Sequence, residues 1–295
     1  MDPQPLITVI TPCFEDEATL PMALASLVAQ TVENWECIVV DDGSGESIAP
    51  IVEAFGDRRI ELLSFSSNLG RSVARQRALE RARGEFICML DADDWYFPKK
   101  LEAQLAVMEE NTELAAVSTG LAVMDEDEQL IGMRSLGPPT MELYTGEEHR
   151  FPKLLFATVM LRRPVALAGE FNPGLQRSED HDYLMRVLAG RRYGVMPEAL
   201  YAYREIFSDE SMGEALSGFR NQRKIFGARL RRAPLRAGTQ YLWSLVKSGV
   251  YGAARAVGRG ERLFSRRNRA ATVAERRAFE ASRARVCQVL ESLGQ

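Results

Sequence analysis

The chain has 295 residues, 46% hydrophobic and 26% charged, with a formal net charge of −4. That is an ordinary globular composition, which excludes collagen-like, low-complexity and wholly disordered chains. The charge is uneven: residues 220–295 carry 18 Lys+Arg against 4 Glu, a net of +14, leaving 19 basic and 37 acidic residues, or −18, in 1–219.

Residues 6–11 (LITVIT) form a short apolar run ending at Pro12, and 17–30 place Leu20, Leu24, Leu27 and Val28 at helical spacing. Residues 35–40 (WECIVV) read as a second strand, stopped by Asp41-Asp42-Gly43-Ser44; a helix over 48–55 and a strand over 60–65 follow. A helix over 71–83 is punctuated by Gly84, then come a strand over 85–90 and a helix over 99–110 with Pro98 at its opening turn. Farther on, 154–161 (LLFATVML) reads as a strand, and Tyr183, Leu184, Val187 and Leu188 recur at helical spacing. Ser178 is the expected N-cap there, with Glu179, Asp180 and Asp182 in a first turn where the helix dipole favours carboxylates. From Arg220 onward, apolar and basic residues interleave in what read as short helices divided at Pro234, Gly238, Gly249, Gly258 and Gly260.

Cys13, Cys37, Cys88 and Cys287 form no CxxC pair, and three of them sit in strand runs, so buried reduced thiols are expected rather than disulfides or a zinc site. The N-terminus lacks a basic n-region, and no uncharged apolar run approaches the roughly 18 residues of a membrane span. The expected location is cytoplasmic, or peripheral on the inner face of a membrane. Strands alternating with helices imply an α/β fold with a mostly parallel sheet covered on both faces. Ligands of such sheets bind beyond the carboxyl ends of the strands. The residues there are polar and acidic: Pro12 to Glu17, Asp41 to Ser44, Ser67 to Arg71, and Asp91 to Trp95. Adjacent carboxylates repel one another and suit a hard cation such as Mg²⁺ or Mn²⁺. Each cluster alone reads equally as a turn or a helix cap. No GxGxxG follows strand one and no GxxxxGK[ST] occurs, so dinucleotide and P-loop cradles are absent from the sequence.

The stretches VITPCFEDEATLPMALASLVAQT, ECIVVDDGS, NLGRSVARQRAL, GEFICMLDADDWYFPKKL and SEDHDYLMRVL together resemble the inverting family 2 glycosyltransferases of GT-A fold, in order and approximate spacing from about residue 6 to about 211. The resemblance implies a UDP-, dTDP- or GDP-sugar donor, Mn²⁺ or Mg²⁺, and single displacement onto a glycan or lipid-linked acceptor, with cell-surface polysaccharide biosynthesis the associated setting. By position, Pro12, Phe14 and Glu15 meet base and ribose, Asp41 accepts from the base N–H with Asp42 beside it, Asp91 contacts ribose or nearby amides, and Asp93 binds the metal. Asn68 and Arg71 fall on the donor side; Arg71 and Arg75 read either as phosphate ligands or as salt-bridge partners of the acidic body. Asp180 of the Glu179-Asp180 pair is the expected general base, with Asp182 the runner-up and His181 beside them rather than a ligand. Three departures stand out: Phe14 where Tyr is usual, Glu15 for a common Asn, and no His after Tyr203-Arg204, which leaves a further metal ligand open. Residues 208–213 read as a candidate lid.

The expected division is a glycosyltransferase domain over 1–213, with a nucleotide-sugar half (1–120) and an acceptor half (121–213), and a basic helical C-terminal extension over 214–295. That extension suits an anionic membrane surface, with packing on the body or a homodimer as alternatives; no module for nucleic acid accompanies it. An inactive nucleotide-sugar-binding relative and a sugar nucleotidyltransferase are the competing functions.

Overall fold

Apolar runs bounded by acidic turns become strands, and the periodic segments between them become the helices that cover the sheet. In a computed structural model describing residues 4–135, 140–175 and 177–294, the first half runs β1 (Ile7–Cys13), α1 (Leu20–Val28), β2 (Trp35–Asp41), α2 (Ala49–Phe55), β3 (Ile60–Ser64), α3 (Arg71–Arg81), β4 (Phe86–Met89), β5 (Trp95–Tyr96) and α4 (Lys100–Glu110). Residues 1–3, part of the N-terminal signal reading, lie outside the described residues. The second half contains β6 (Leu114–Met124), β7 (Leu130–Arg134), β8 (Glu142–Thr145), a 3-10 turn (Phe156–Thr158), β9 (Met160–Arg162), α5 (Arg163–Ala166), α6 (Glu179–Val187) and β10 (Arg192–Arg204). Four helices close the chain: α7 (Asp209–Arg229), α8 (Pro234–Ala256), α9 (Gly260–Ser265) and α10 (Val273–Ser292).

The strand order is β3-β2-β1-β4-β9-β6-β10-β5, with β7 added to β6 and β8 to β10. Strands β3, β2, β1 and β4 pair in parallel, so the expected parallel order holds for this part and the ends of these strands converge on one edge. Beyond β4 the sheet is mixed, because β9 runs antiparallel to both β4 and β6. Cys13, Cys37 and Cys88 are buried free thiols in β1, β2 and β4.

The structure corrects several local expectations. Strand β6 (LAAVSTGLAVM) has no counterpart in the sequence reading, because every position is buried and no alternation reveals it. Most of 154–161 is not strand: the Thr158 hydroxyl donates to the Thr119 carbonyl at 2.9 Å, and the Leu155 amide donates to Ser118 Oγ. These polar contacts hold a 3-10 turn until Met160 joins the sheet. Ser178 stands at the N-cap of α6 but does not cap it with its side chain; its backbone is left-handed (φ 62°) and its hydroxyl donates to the Gly218 carbonyl. Residues 208–213 are no separate lid: Ser208 caps α7 in a reciprocal capping box with Ser211, and Met212 is buried. Gly238 and Gly249 lie inside one continuous helix α8, whereas Pro234 at its start and Gly258 (φ +67°) after it do mark breaks.

The expected boundary at 213/214 falls within α7, and the residues after it take two different courses. Helices α7 and α8 pack on each other, while α10 returns to pack on α1. There Phe279 is fully buried against Trp95 and Phe97, with ring centroids 5.2 and 6.2 Å away. Phe279→Ala is expected to cost about 3–5 kcal/mol, measured as a lowered denaturant midpoint of the whole cooperative transition; a separate early transition confined to the C-terminal helices would contradict this packing.

Candidate functional site

The turns after β1 to β4 meet at one edge because short polar contacts tie them together. Glu15 takes a left-handed backbone (φ 58°) and its amide donates to Ser44 Oγ at 3.1 Å, so the turn after β1 leans on the turn after β2. Asp41 Oδ1 accepts the Ser44 amide at 2.9 Å. Both oxygens of buried Asp42 are taken, by the amides of Leu69 (2.8 Å) and Gly70 (2.9 Å). Asp42 therefore acts through the 67–70 loop that it holds. Gly43 is required at this junction: its φ is +79° and a Cβ would come within 2.4 Å of the Ser67 carbonyl carbon.

From Gly70 the chain enters α3, which carries Arg75 inward. Its guanidinium donates to Asp91 Oδ1 (2.9 Å) and to Glu179 Oε1 (2.8 Å) and lies 4.9 Å from the Phe156 ring centre. Arg75 Nε has no hydrogen-bond partner among the described residues. Of the two roles the sequence left open for Arg75, the salt bridge is the one the structure adopts, and it joins the end of β4 to the start of α6. Arg71, one turn earlier, is exposed at the mouth. Asn68 is exposed too, its Oδ1 accepting the Gly70 amide at 3.0 Å. Pro12 is half-buried, and Phe14 is exposed beside it.

The carboxylates on this edge crowd one another. Burial first, then the charges of Asp91 and Asp16, push the Asp93 carboxyl up to about 7. Burial and Asp91 likewise raise Asp16, although the Phe14 amide bonds it and offsets part of the shift. Asp16 is a site residue the sequence reading did not single out; its neighbours in sequence are acidic as well, and only the turn at Glu15 distinguishes it. Asp94 is different: buried, it accepts the Tyr201 hydroxyl (2.7 Å) and the Arg204 amide (2.7 Å). Arg204 then donates to the Asp93 carbonyl and to Glu128, fixing the turn from the β10 side.

Among the described residues, no cluster of three or more His, Cys, Asp or Glu is arranged to hold a metal ion. Glu205, the first acidic residue after Tyr203-Arg204, is engaged by Arg134 at 2.7 and 2.8 Å and by Asn268. The carboxylates at this edge whose charges act on one another are Asp93, Asp91 and Asp16, and Asp91 is already bonded by Arg75. Hard cations that bind with substrate phosphate and water need only one or two protein carboxylates.

Asp180 begins α6 next to Glu179. It is part-exposed, and its Oδ1 accepts from the His181 amide (2.7 Å) and meets the His181 ring at 2.9 Å. Burial opposes ionisation, but the His181 imidazole and the Arg75 guanidinium hold the Asp180 carboxyl well below the usual range. His181 thus sits behind Asp180 as its partner. Asp182 is unavailable as an alternative base, since Arg186 (2.9 Å) and Arg229 (3.0 Å) occupy its two oxygens and tie α6 to α7. Along the first turns of α7 opens a cleft of about 430 Å³ lined by Arg177, Asp209, Glu210, Glu214 and Arg255 among others.

A sequence model of the family described as "Glycosyl transferase family 2" matches residues 8–163. An uncharacterized glycosyltransferase of Methanocaldococcus jannaschii is 27% identical over 208 residues, covering 68% of this chain and 71% of its own. The UDP-Glc:alpha-D-GlcNAc-diphosphoundecaprenol beta-1,3-glucosyltransferase WfgD of Escherichia coli is 39% identical over 106 residues, covering 36% of this chain and 42% of its own. This chain therefore spans less than half of that enzyme. The structure of the mannosyltransferase PcManGT from Pyrobaculum calidifontis in complex with GDP-Man and Mn²⁺ is similar in fold, with TM-score 0.59 and 15% identity over 99% of this chain and 88% of that one.

Removing the cation at the centre tests the assembly. Arg75→Met would leave buried Glu179 unpaired and is expected to destabilise the fold by about 3–5 kcal/mol, read by urea denaturation. Stability within error of the native chain would show that the buried pair does not hold these elements together.

Proposed function

The chain belongs to the family 2 glycosyltransferases of GT-A fold, and from that premise we propose that it moves a sugar from a nucleotide-sugar donor to a hydroxyl of a glycan or lipid-linked acceptor, inverting the anomeric centre. The observation that most supports this is the Arg75 bridge: one guanidinium bonds Asp91 on the donor edge and Glu179, the neighbour of Asp180. A base and an acidic nucleotide edge thereby form a single charged unit.

On this reading the donor lies across the ends of β1 to β4. Asp41 offers its remaining oxygen to the base, and Phe14 and Pro12 cover the nucleoside. Asp42 shapes the site through the loop carrying Asn68, and exposed Arg71 faces the diphosphate. Glu15 serves chiefly through its left-handed backbone, which turns Asp16 toward Asp91. A divalent cation, held by Asp93 with Asp91 or Asp16 beside it, would supply the counter-charge for the departing nucleoside diphosphate. The Mn²⁺ in the Pyrobaculum mannosyltransferase complex supports that assignment.

The acceptor enters from the cleft along the start of α7, which Arg177 borders just before α6. Asp180, ionised at neutral pH, takes the proton of the attacking hydroxyl as it adds to the anomeric carbon on the face opposite the diphosphate. His181 orients the Asp180 carboxylate and stays off the metal. The diphosphoundecaprenol-linked acceptor in the name of the E. coli relative supports a lipid-linked acceptor and a place in cell-surface polysaccharide biosynthesis.

Two variants separate the roles. Asp180→Asn is expected to lower kcat by about 10²–10⁴-fold, the usual contribution of a general base, with donor affinity unchanged; nucleoside diphosphate release across a panel of nucleotide sugars reads both, and a native rate would exclude Asp180. Asp93→Asn is expected to abolish the Mn²⁺-dependent part of nucleoside diphosphate binding in calorimetry. If that part persists, the cation is held elsewhere.

A further inference from the structure

Helix α8 has two faces of opposite character. Ala237, Ser244, Tyr251 and Ala254 are buried on the inner side. On the other side Leu235 is 85% exposed, Leu242 and Trp243 are each 61% exposed, and Val246, Val250 and Val257 just past the helix are exposed with them. These positions recur at i, i+7, i+8, i+11, i+15 and i+22, which is one helical stripe. Thr239, Gly249 and Ala253 share that stripe, so no charge interrupts it.

The rim of the stripe is basic. Helix α8 contains no Asp or Glu; of its cations, Arg236 borders the stripe and pairs with Glu147 at 3.5 Å, whereas Lys247 lies toward the Phe219 ring of α7 and Arg255 lies on the inner side. Arg231 and Arg232 precede the helix and Arg259 follows it, all of them exposed. A contiguous apolar stripe with such a rim marks an interaction surface. Although α8 has 23 residues, no helix among those described is long and apolar enough to cross a membrane. The chemistry is that of a helix lying in a membrane interface.

We propose that the outer face of α8 docks on an anionic lipid bilayer, with the helix parallel to the surface, its apolar stripe at the acyl-chain boundary and its flanking cations among the headgroups. Charge selects this occupant over a second copy of the chain. A two-fold contact sets the same patch against itself, which would press one basic rim on another, whereas anionic headgroups complement it. Arg255, in the C-terminal turn of α8, faces away from the stripe and lines the cleft along the start of α7. The docking does not depend on the transfer reaction and can be tested without it.

The test uses the full chain with vesicles of phosphatidylcholine alone or mixed equimolar with phosphatidylglycerol. Trp35 and Trp95 are buried while Trp243 is exposed, so a blue shift of tryptophan emission on vesicle addition reports Trp243. Expected are co-sedimentation and a blue shift with the anionic vesicles, both lost in a Leu242→Glu, Val246→Glu double variant that keeps native thermal unfolding. Arg231→Gln, Arg232→Gln and Arg259→Gln together should lower partitioning about a hundredfold, since each cation near an anionic surface contributes about fivefold. The proposal is overturned by failure to bind anionic vesicles, by equal partitioning onto neutral ones, or by variants that bind like the native chain. A dimer in sedimentation velocity that Val246→Glu dissociates, with no vesicle binding, would assign the face to a second copy.

Discussion

The arrangement turns on one buried guanidinium. Arg75 is enclosed between Asp91 and Glu179, and a charge so buried is tolerated only where it is paired. Its position is dictated from upstream. Asp42 pins the amides of Leu69 and Gly70, which sets where α3 begins, and the register of α3 then delivers Arg75 to the sheet edge. Without this cation, buried Glu179 would lose its salt-bridge partner and Asp91 would lose the guanidinium that meets it at the end of β4. The end of β4 and the start of α6 are thus joined by electrostatics as well as by the continuous sheet.

The crowding that remains after Arg75 has neutralised its share lies at Asp93. A carboxyl raised by burial and by its neighbours is an unfavourable arrangement for the protein alone, and it is relieved when positive charge arrives. Asp94, one residue on, shows the contrast. Tyr201 and Arg204 satisfy it internally, so it supports the turn and has nothing to offer a ligand.

How much of this the sequence discloses depends on the kind of signal. Strands β1 to β4 are legible because each is a short, largely apolar run closed by a polar turn, and the parallel arrangement follows from the helices between them. Strand β6 is not, because burial on both faces erases the alternation that would announce it. The same limit applies to side chains. Asp41 and Asp42 are indistinguishable as letters, yet one has an oxygen left for a ligand while the other is consumed by backbone amides. Arg75 is visible as a cation near a helix start, but its two partners come from 16 and 104 residues away. In the tail, composition suggested a uniform basic extension. In the fold, α8 keeps an apolar face outward while α10, with more arginine than α8, turns Phe279 and Val286 into the core. Glycines in α8 misled for a similar reason, since packing on α7 outweighs their weak helix propensity.

The return of α10 to α1 has a consequence for how the protein is made. Helix α1 is made well before α10, and such sequence-distant contacts slow folding. The apolar surface that Phe279 covers on Trp95 and Phe97 must therefore wait, uncovered, until α10 has been made. Until then that surface is open to non-native contacts.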